Sequence, residues 1–517
     1  MPTLFATLHS PHAANVVLRA PGESLATLTA LVRGASWNFR ADVLECPWEI
    51  WSLVRVMPAG WELAEDAVIT ERLAKDEEDV RWKLQVAASR CNHFDLRLRE
   101  SGLHLRQYQR EGVEWFTKHH SGLLCDEMGL GKTVQGLAAL YDDVGSLILC
   151  PATLRGYWRD EVRRWRPELH PFIVEGRGAF VMPRKDEVVI FSDASMVDDP
   201  DVDMPYFLLV DEAQAYKGDS QRTARLATLA GRIRHHGGWT FAMTGTPLMN
   251  RPEELWTLAK VFGLARFGWG SIPAFKRAFE VVETPFGTRF GTPKAEAGEG
   301  FRRISLRRTR AEVLSELPAK TITYVPVPLT RPLTRQLDKM EPTLSRALQT
   351  WEDTGIMPTF AEYSSLRVKI AACKLRALED WIATHEDLNE AVVVFSAHRA
   401  PLDALAGRAG WGFITGDTPP AERTRLVRKF QEGELRGIAG TIQAMGTGVT
   451  LTRAAYMCFV DRRFGPGDNE QAEDRISRLG QTRPVVITVL VAEHPLEKRI
   501  EMILTKKRAM IQATLGT

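Results

Sequence analysis

A chain of 517 residues with 44% hydrophobic content has enough apolar material for several buried cores and reads as a globular protein of roughly three domains. A formal net charge of +2 excludes nucleic-acid recognition by bulk positive charge, so any such surface must be built from local clusters. The six cysteines are scattered without a C-x-x-C pair, which argues against a zinc site or a disulfide framework; no apolar run approaches the ~18 residues of a membrane span, and the start MPTLFATLHS lacks the features of a secretory signal. The expectation is a soluble intracellular protein with reduced thiols and no membrane association, from the cytoplasm or nucleoid of a prokaryote or a virus-infected host cell rather than a nucleus.

Residues 1–100 carry apolar stretches (Asn15–Arg19, Trp61–Ile69) around helix-like segments (Leu25–Val32, Trp48–Val56), which predicts a small accessory α+β module. Its Trp37, Trp48, Trp51 and Trp61 are assigned to a core rather than to a nucleotide-stacking face. From residue 101 the signal sharpens. LRQYQREGVEWF places Gln109 on a helix, where its amide can read the edge of an adenine. LLCDEMGLGKTVQGLAAL then reads as strand, phosphate loop and helix. Gly129 and Gly131 let the backbone turn tightly and aim N–H groups at one point, Lys132 supplies a point charge for β and γ phosphates, and the Thr133 hydroxyl suits Mg²⁺. Asp126 occupies the first loop position, where glycine or alanine is usual.

Apolar strands then alternate with helices at Ser146–Cys150, Val188–Phe191, Tyr206–Val210 and Trp239–Met243, the pattern of a parallel sheet covered on both faces. One of them ends on Asp211 and Glu212, at the edge where open α/β sheets bind ligands. Asp211 suits a Mg²⁺ shell and Glu212 the deprotonation of an attacking water. Another ends on Thr244-Gly245-Thr246-Pro247, a polar turn suited to sensing a γ phosphate. The alternation breaks over 265–365, read as a helical insertion and linker, and returns with five strands in 366–517, a second parallel-sheet domain after the first at 101–264. Within it QAEDRISRLGQ sets Gln471, Arg475 and Arg478 on one helical face, the arginines directed into a cleft. Three basic clusters (Arg163, Arg164 and Arg166; Arg302 to Arg310; Lys506 to Arg508) are candidates for a nucleic-acid surface, with solvated helix faces as the competing reading.

From Leu103 onward these residues resemble the Swi/Snf-type branch of superfamily-two helicase-like ATPases: DEMGLGKT, the Asp-Glu-Ala box, TGTPLMNRPEELW, LRRTRAEVLSELPAK, ITGDTPPAERTRLVRKF and QAEDRISRLGQ occur in that family's order and spacing. The Arg-Pro after Asn250 and the compact insertion are most similar to its annealing-helicase, fork-remodelling subgroup. The resemblance implies two RecA-like lobes of the P-loop NTPase type, ATP and Mg²⁺ in the cleft, and double-stranded DNA across both lobes of a monomer. By it Gln109 reads adenine, Asp126, Gly129, Gly131, Lys132, Thr133 and Gln471 hold nucleotide, Thr133 and Asp211 hold the metal, and Glu212, Lys132, Arg475 and Arg478 are catalytic. Its DNA contacts would be Arg155, Trp158, Thr244, Thr246, Ser396, His398, Arg399, Gly446, Thr447 and Gly448. Gln214 stands where the family has histidine, Gln107 where it has proline, and Met445 where it has a glycine. The implied activity is an ATP-dependent duplex-DNA translocase or remodeller; an RNA-directed helicase and an ATP-gated DNA clamp with little turnover are the alternatives.

Overall fold

The structure, a computed structural model, describes residues 3–7, 15–19, 36–38, 43–47, 62–72, 74 and 104–515, except 177–178, 248–250, 285–286, 315–317, 355–360, 447–448 and 479. Strands β1 (Thr3–Thr7), β2 (Asn15–Arg19), β3 (Ser36–Asn38), β4 (Val43–Pro47) and β5 (Glu62–Glu65) form one N-terminal sheet in the order β3-β4-β2-β1-β5. Period-two burial of Leu4 and Ala6 gives β1 an inner face, and the Asp66 carboxylate accepts from Ile69 N at 2.8 Å to start the helical turn over 67–72. The expected apolar stretches at 15–19 and 61–69 thus contain strands. The helices expected at 25–32 and 48–56, and Trp48, Trp51 and Trp61, lie outside the described residues.

The second sheet holds β6 (Ser121–Leu124), β7 (Ser146–Leu149), β8 (His170–Ile173), β9 (Glu187–Phe191), β10 (Phe207–Val210), β11 (Trp239–Met243) and β14 (Ser305–Leu306), ordered β14-β6-β11-β10-β7-β9-β8. Every pairing in it is parallel, and β7 and β10 are buried at each position, because helices cover both faces. The half-exposed edge strand β8 escapes sequence reading, since His170-Pro171 interrupts any apolar run. A β-hairpin, β12 (Val282–Thr284) with β13 (Gly287–Arg289), occupies the Gly/Pro-rich stretch.

The third sheet comprises β15 (Lys320–Val327), β16 (Val392–Ser396), β17 (Trp411–Ile414), β18 (Gly437–Thr441), β19 (Tyr456–Phe459) and β20 (Val485–Ala492), ordered β15-β20-β19-β16-β18-β17 and again wholly parallel. The two lobes of the expected α/β architecture are therefore present. The span 265–365, read as insertion and linker, also lends an edge strand to each: β14 to the sheet of the first lobe and β15 to that of the second lobe. The helix Pro495–Leu515 joins the lobes. Its Leu496, Ile500 and Ile503 pack with Leu337, Leu344 and Trp351, while Leu515 enters the first-lobe core beside Ala297 and Phe301. Among the described residues no helix is long and apolar enough to cross a membrane.

Candidate active site between the lobes

The loop after β6 turns through Gly129 (φ +86°) and Gly131 (φ +74°), a region L side chains avoid, and delivers the N-terminus of the helix Lys132–Ala139. Lys132 Nζ donates to the carbonyls of Asp126 at 2.7 Å and Glu127 at 3.3 Å. Burial holds its pKa below the usual lysine value, opposed by the carboxylates of Asp126, Glu212 and Asp211. The Thr133 side chain lies beside the Tyr157 hydroxyl.

Two expected ligand residues are committed to building this loop. Asp126 is fully buried; its Oδ1 accepts from Arg308 Nε at 3.0 Å, and its Oδ2 from Arg308 Nη2 at 2.6 Å and Gln135 Nε2 at 3.1 Å. A carboxylate held by a two-pronged guanidinium anchors the loop from within, so the Asp126 side chain is engaged by the first lobe itself. Gln109 Oε1 accepts from Arg106 N at 2.9 Å, capping its own helix, and its Nε2 donates to Leu130 O at 3.3 Å. Its amide lies so near the loop that a Cβ on Gly131 would sit 2.4 Å from Nε2.

At the end of β10, Asp211 is half-buried, and Trp158 Nε1 donates to its Oδ2 at 2.9 Å. Burial, and then the negative charge of Glu212, push the Asp211 carboxyl well above the usual carboxylate range. Glu212 sits in the left-handed region at φ +49° and gathers donors from both lobes: Gln214 Nε2 to Oε2 at 2.5 Å and, across the cleft, Gln471 Nε2 to Oε1 at 3.1 Å. Gln214 Oε1 in turn accepts from Thr244 Oγ1 at 2.7 Å, and Thr244 Oγ1 accepts from Thr246 N at 3.0 Å. A continuous hydrogen-bonded chain thus runs from Glu212 to the Thr244–Thr246 turn, with glutamine both donating and accepting where the resembled family has histidine.

The second lobe presents its arginines to this loop. Arg478 lies so near Gly129 that a Cβ there would be 3.2 Å from the arginine Cβ. Its Nη1 donates to Thr450 Oγ1 at 2.9 Å, and Arg475 donates through Nε to Gln471 O at 3.0 Å and through Nη1 to Val449 O at 3.3 Å. Burial, then the like charge of Arg478, lower the Arg475 pKa to about 10; burial also lowers that of Arg478. Two enclosed guanidiniums on neutral acceptors form a site that an anion would stabilise.

The expected DNA set divides. Trp158 is fully buried against Asp211, its indole taken up by the core under that helix. Thr244 and Ser396 are also fully buried, Ser396 Oγ donating to Asp461 Oδ1 at 2.5 Å, so their side chains act inward. His398 is half-buried with Nε2 3.3 Å from Asp461 Oδ2, Arg155 donates to Val174 O at 2.7 Å, and Arg399 is exposed beside Asp403 and Asp417. Gly446 follows the short helix Ile442–Met445, whereas Thr447 and Gly448 lie outside the described residues. The basic clusters divide as well. Arg163, Arg164, Arg302 and Arg303 are exposed, but Arg166, Arg308, Arg310 and Arg508 are turned onto carboxylates. Sequence gave no sign of that, because each acidic partner of Arg308, Arg310 and Arg508 is distant in the chain.

Residues 108–337 match the SNF2-related domain and residues 373–480 the helicase conserved C-terminal domain. The chain is 30% identical over 418 residues to a SWI/SNF-related matrix-associated actin-dependent regulator of chromatin subfamily A-like protein 1 homolog of Caenorhabditis elegans, covering 75% of this chain and 58% of the relative. It is 28% identical over 448 residues to the DNA annealing helicase and endonuclease ZRANB3 of Mus musculus, covering 80% of this chain and 41% of the relative. The chain thus spans about half the length of the curated relatives it matches. Among solved structures it aligns with the Sulfolobus solfataricus SWI2/SNF2 ATPase core in complex with dsDNA, at 22% identity and a TM-score of 0.38, over 80% of this chain and 94% of that one. With both domains matched in order and the site motifs lying inside them, the chain belongs to the SNF2-type branch of helicase superfamily two.

Proposed function

We propose that this chain is a DNA-stimulated ATPase that converts hydrolysis into movement along double-stranded DNA, remodelling the duplex or displacing what is bound to it. The observation that carries the reading is Glu212, held by Gln214 from its own lobe and by Gln471 from the other. A base gripped from both sides makes hydrolysis depend on the relation between the lobes, which is what a motor requires. Lys132 neutralises β and γ phosphate oxygens, Glu212 takes the proton of the attacking water, and Arg475 and Arg478 stabilise charge on the transferring group. The chain from Glu212 through Gln214 to Thr246 passes the state of the site to the turn expected to face DNA. The names of the relatives, a DNA annealing helicase among them, support DNA as partner.

The donor set fits Mg²⁺. Asp211 is a half-buried carboxylate whose ionised form is disfavoured by its neighbour Glu212, and Thr133 adds a hard hydroxyl oxygen. Among the described residues no group of three or more His, Cys, Asp or Glu forms a metal cage, so phosphate oxygens and water would complete the shell. When bound, Mg²⁺ neutralises charge on the phosphates.

ATPase rates measured with no nucleic acid, duplex DNA, single strands and RNA test the reading. Duplex DNA should stimulate most; stronger stimulation by RNA would favour an RNA-directed helicase, and tight ATP-dependent DNA binding without turnover would favour a clamp. Triplex displacement should be positive where fork unwinding is weak, and robust unwinding of blunt duplexes without triplex displacement would overturn translocation on paired strands.

A further inference from the structure

Arg310 lies in a segment riveted to the first lobe. Cys125 N donates to Leu306 O at 2.7 Å and Glu127 N to Arg308 O at 2.9 Å, so the chain here runs beside the phosphate loop. From that position Arg310 binds both sides of the cleft. Its backbone N donates to Glu127 Oε2 and its Nε to Glu127 Oε1, each at 2.7 Å, and Nη2 also reaches Oε1. In the other direction Nη2 is ion-paired with Asp474 Oδ1 at 2.7 Å and Nη1 donates to Ser477 O. Glu127 stands two residues before Gly129, and Asp474 and Ser477 flank Arg475 and precede Arg478. The guanidinium is 11% exposed and Asp474 6%, so solvent screening is weak.

We propose that Arg310 is a positioning residue, a latch that joins the phosphate loop to the turn carrying the arginine pair and so sets where Arg478 stands over Gly129. The inference rests on reading the cleft as an ATP-hydrolysing site, but the latch itself is a statement about the distance between lobes. A planar guanidinium can serve Glu127 on one edge and Asp474 on the other, which an ammonium cannot do with fixed geometry. Both carboxylates are held: Glu127 has a pKa below the usual value despite its burial, owing chiefly to Arg310. Asp474 also lies 3.9 Å from Lys320 on β15, so the second lobe supplies a cation of its own to the same acid. Arg308, two residues earlier, differs: its hydrogen bonds to Asp126, Tyr108 O and Gln135 all stay within the first lobe.

The test combines kinetics with an inter-lobe distance that needs no turnover. Arg310→Gln, and an Arg310→Gln/Glu127→Gln/Asp474→Asn variant that strands no buried charge, are compared with wild type. A displaced arginine pair should lower kcat about 10–100-fold while KM for ATP and the DNA Kd change little. Double electron–electron resonance between labels on exposed Asp160 and Glu432 should give a broader distribution in the triple variant than in wild type. Arg308→Gln, an intralobe control, should lower the melting temperature without broadening it, and Arg310→Lys should recover only part of kcat. An unchanged distance distribution in the triple variant, or a raised KM for ATP with kcat unchanged, would overturn the latch. A wild type that hydrolyses no ATP would sink the proposed function instead and leave the distance readout decisive for Arg310.

Discussion

Lys132 faces the backbone carbonyls of Asp126 and Glu127, with three carboxylates near enough to sustain its charge. Lys132→Ala removes a charge-assisted partner worth about 1.5–3 kcal/mol, so ATP affinity should fall and hydrolysis should nearly vanish, as equilibrium binding and steady-state rates will report. Glu212→Gln keeps the shape but not the base. That variant should bind ATP and DNA and turn over very slowly; a collapse of nucleotide affinity with unchanged turnover per bound ATP would reassign Glu212 to binding. Trp158 separates two readings of one side chain. Because its indole is buried on Asp211, Trp158→Phe should cost about 1–3 kcal/mol in thermal unfolding and leave DNA affinity unaltered, whereas a DNA contact would show the reverse. These positions were legible to different degrees. The lysine and the carboxylates declare themselves by motif, but whether a tryptophan faces solvent or core is a property of the helix Arg155–Trp165 in its packed place.

The phosphate loop and its helix form the element on which the site is built, and Gly129 is its most constrained point. At φ +86° a side chain is strained by about 1–2 kcal/mol, and a Cβ would also press on Arg478 at 3.2 Å. Gly129→Ala should therefore lower DNA-stimulated turnover by more than its loss of stability accounts for, which melting curves and ATPase rates on the same preparation will separate. The span 265–365 shows the opposite balance between local pattern and outcome. Its strand β15 is largely exposed, with Thr321, Thr323, Tyr324 and Val325 open to solvent, and it is held at the sheet edge by pairing with β20 rather than by burial.

For the molecule as a whole, the question is how two lobes share one reaction. Arg478 is remote in sequence from Lys132 yet packs on the same loop, and the helix Pro495–Leu515 carries second-lobe chain into the first-lobe core. Arg478→Ala should bind ATP and duplex DNA nearly as wild type but lose DNA-stimulated turnover by a large factor, since an arginine finger is worth roughly 10³–10⁵ in rate. On the proposed reading DNA would bridge both lobes and favour their closed relation, so the basal rate should fall by a smaller factor. Side-by-side basal and stimulated rates decide this: equal fractional losses would mean that DNA does not drive closure, and no loss in either would remove Arg478 from the site.

Amphipathic and apolar periodicity specified most strands of both sheets, because a strand buried on two faces must be apolar throughout, and the loop chemistry of Gly129, Gly131, Lys132, Asp211 and Glu212 followed from what phosphate and water demand locally. Charges were another matter. Asp126 looked like a loop residue facing nucleotide and Arg308 and Arg310 like part of a nucleic-acid surface, yet Arg308 neutralises Asp126 across 182 residues and Arg310 bridges Glu127 to Asp474. A salt bridge depends on distance in space, and nothing in the local pattern of either partner encodes it. Which arginines bind the protein itself and which remain for a polyanion was therefore decided only when the two sheets brought their loops together.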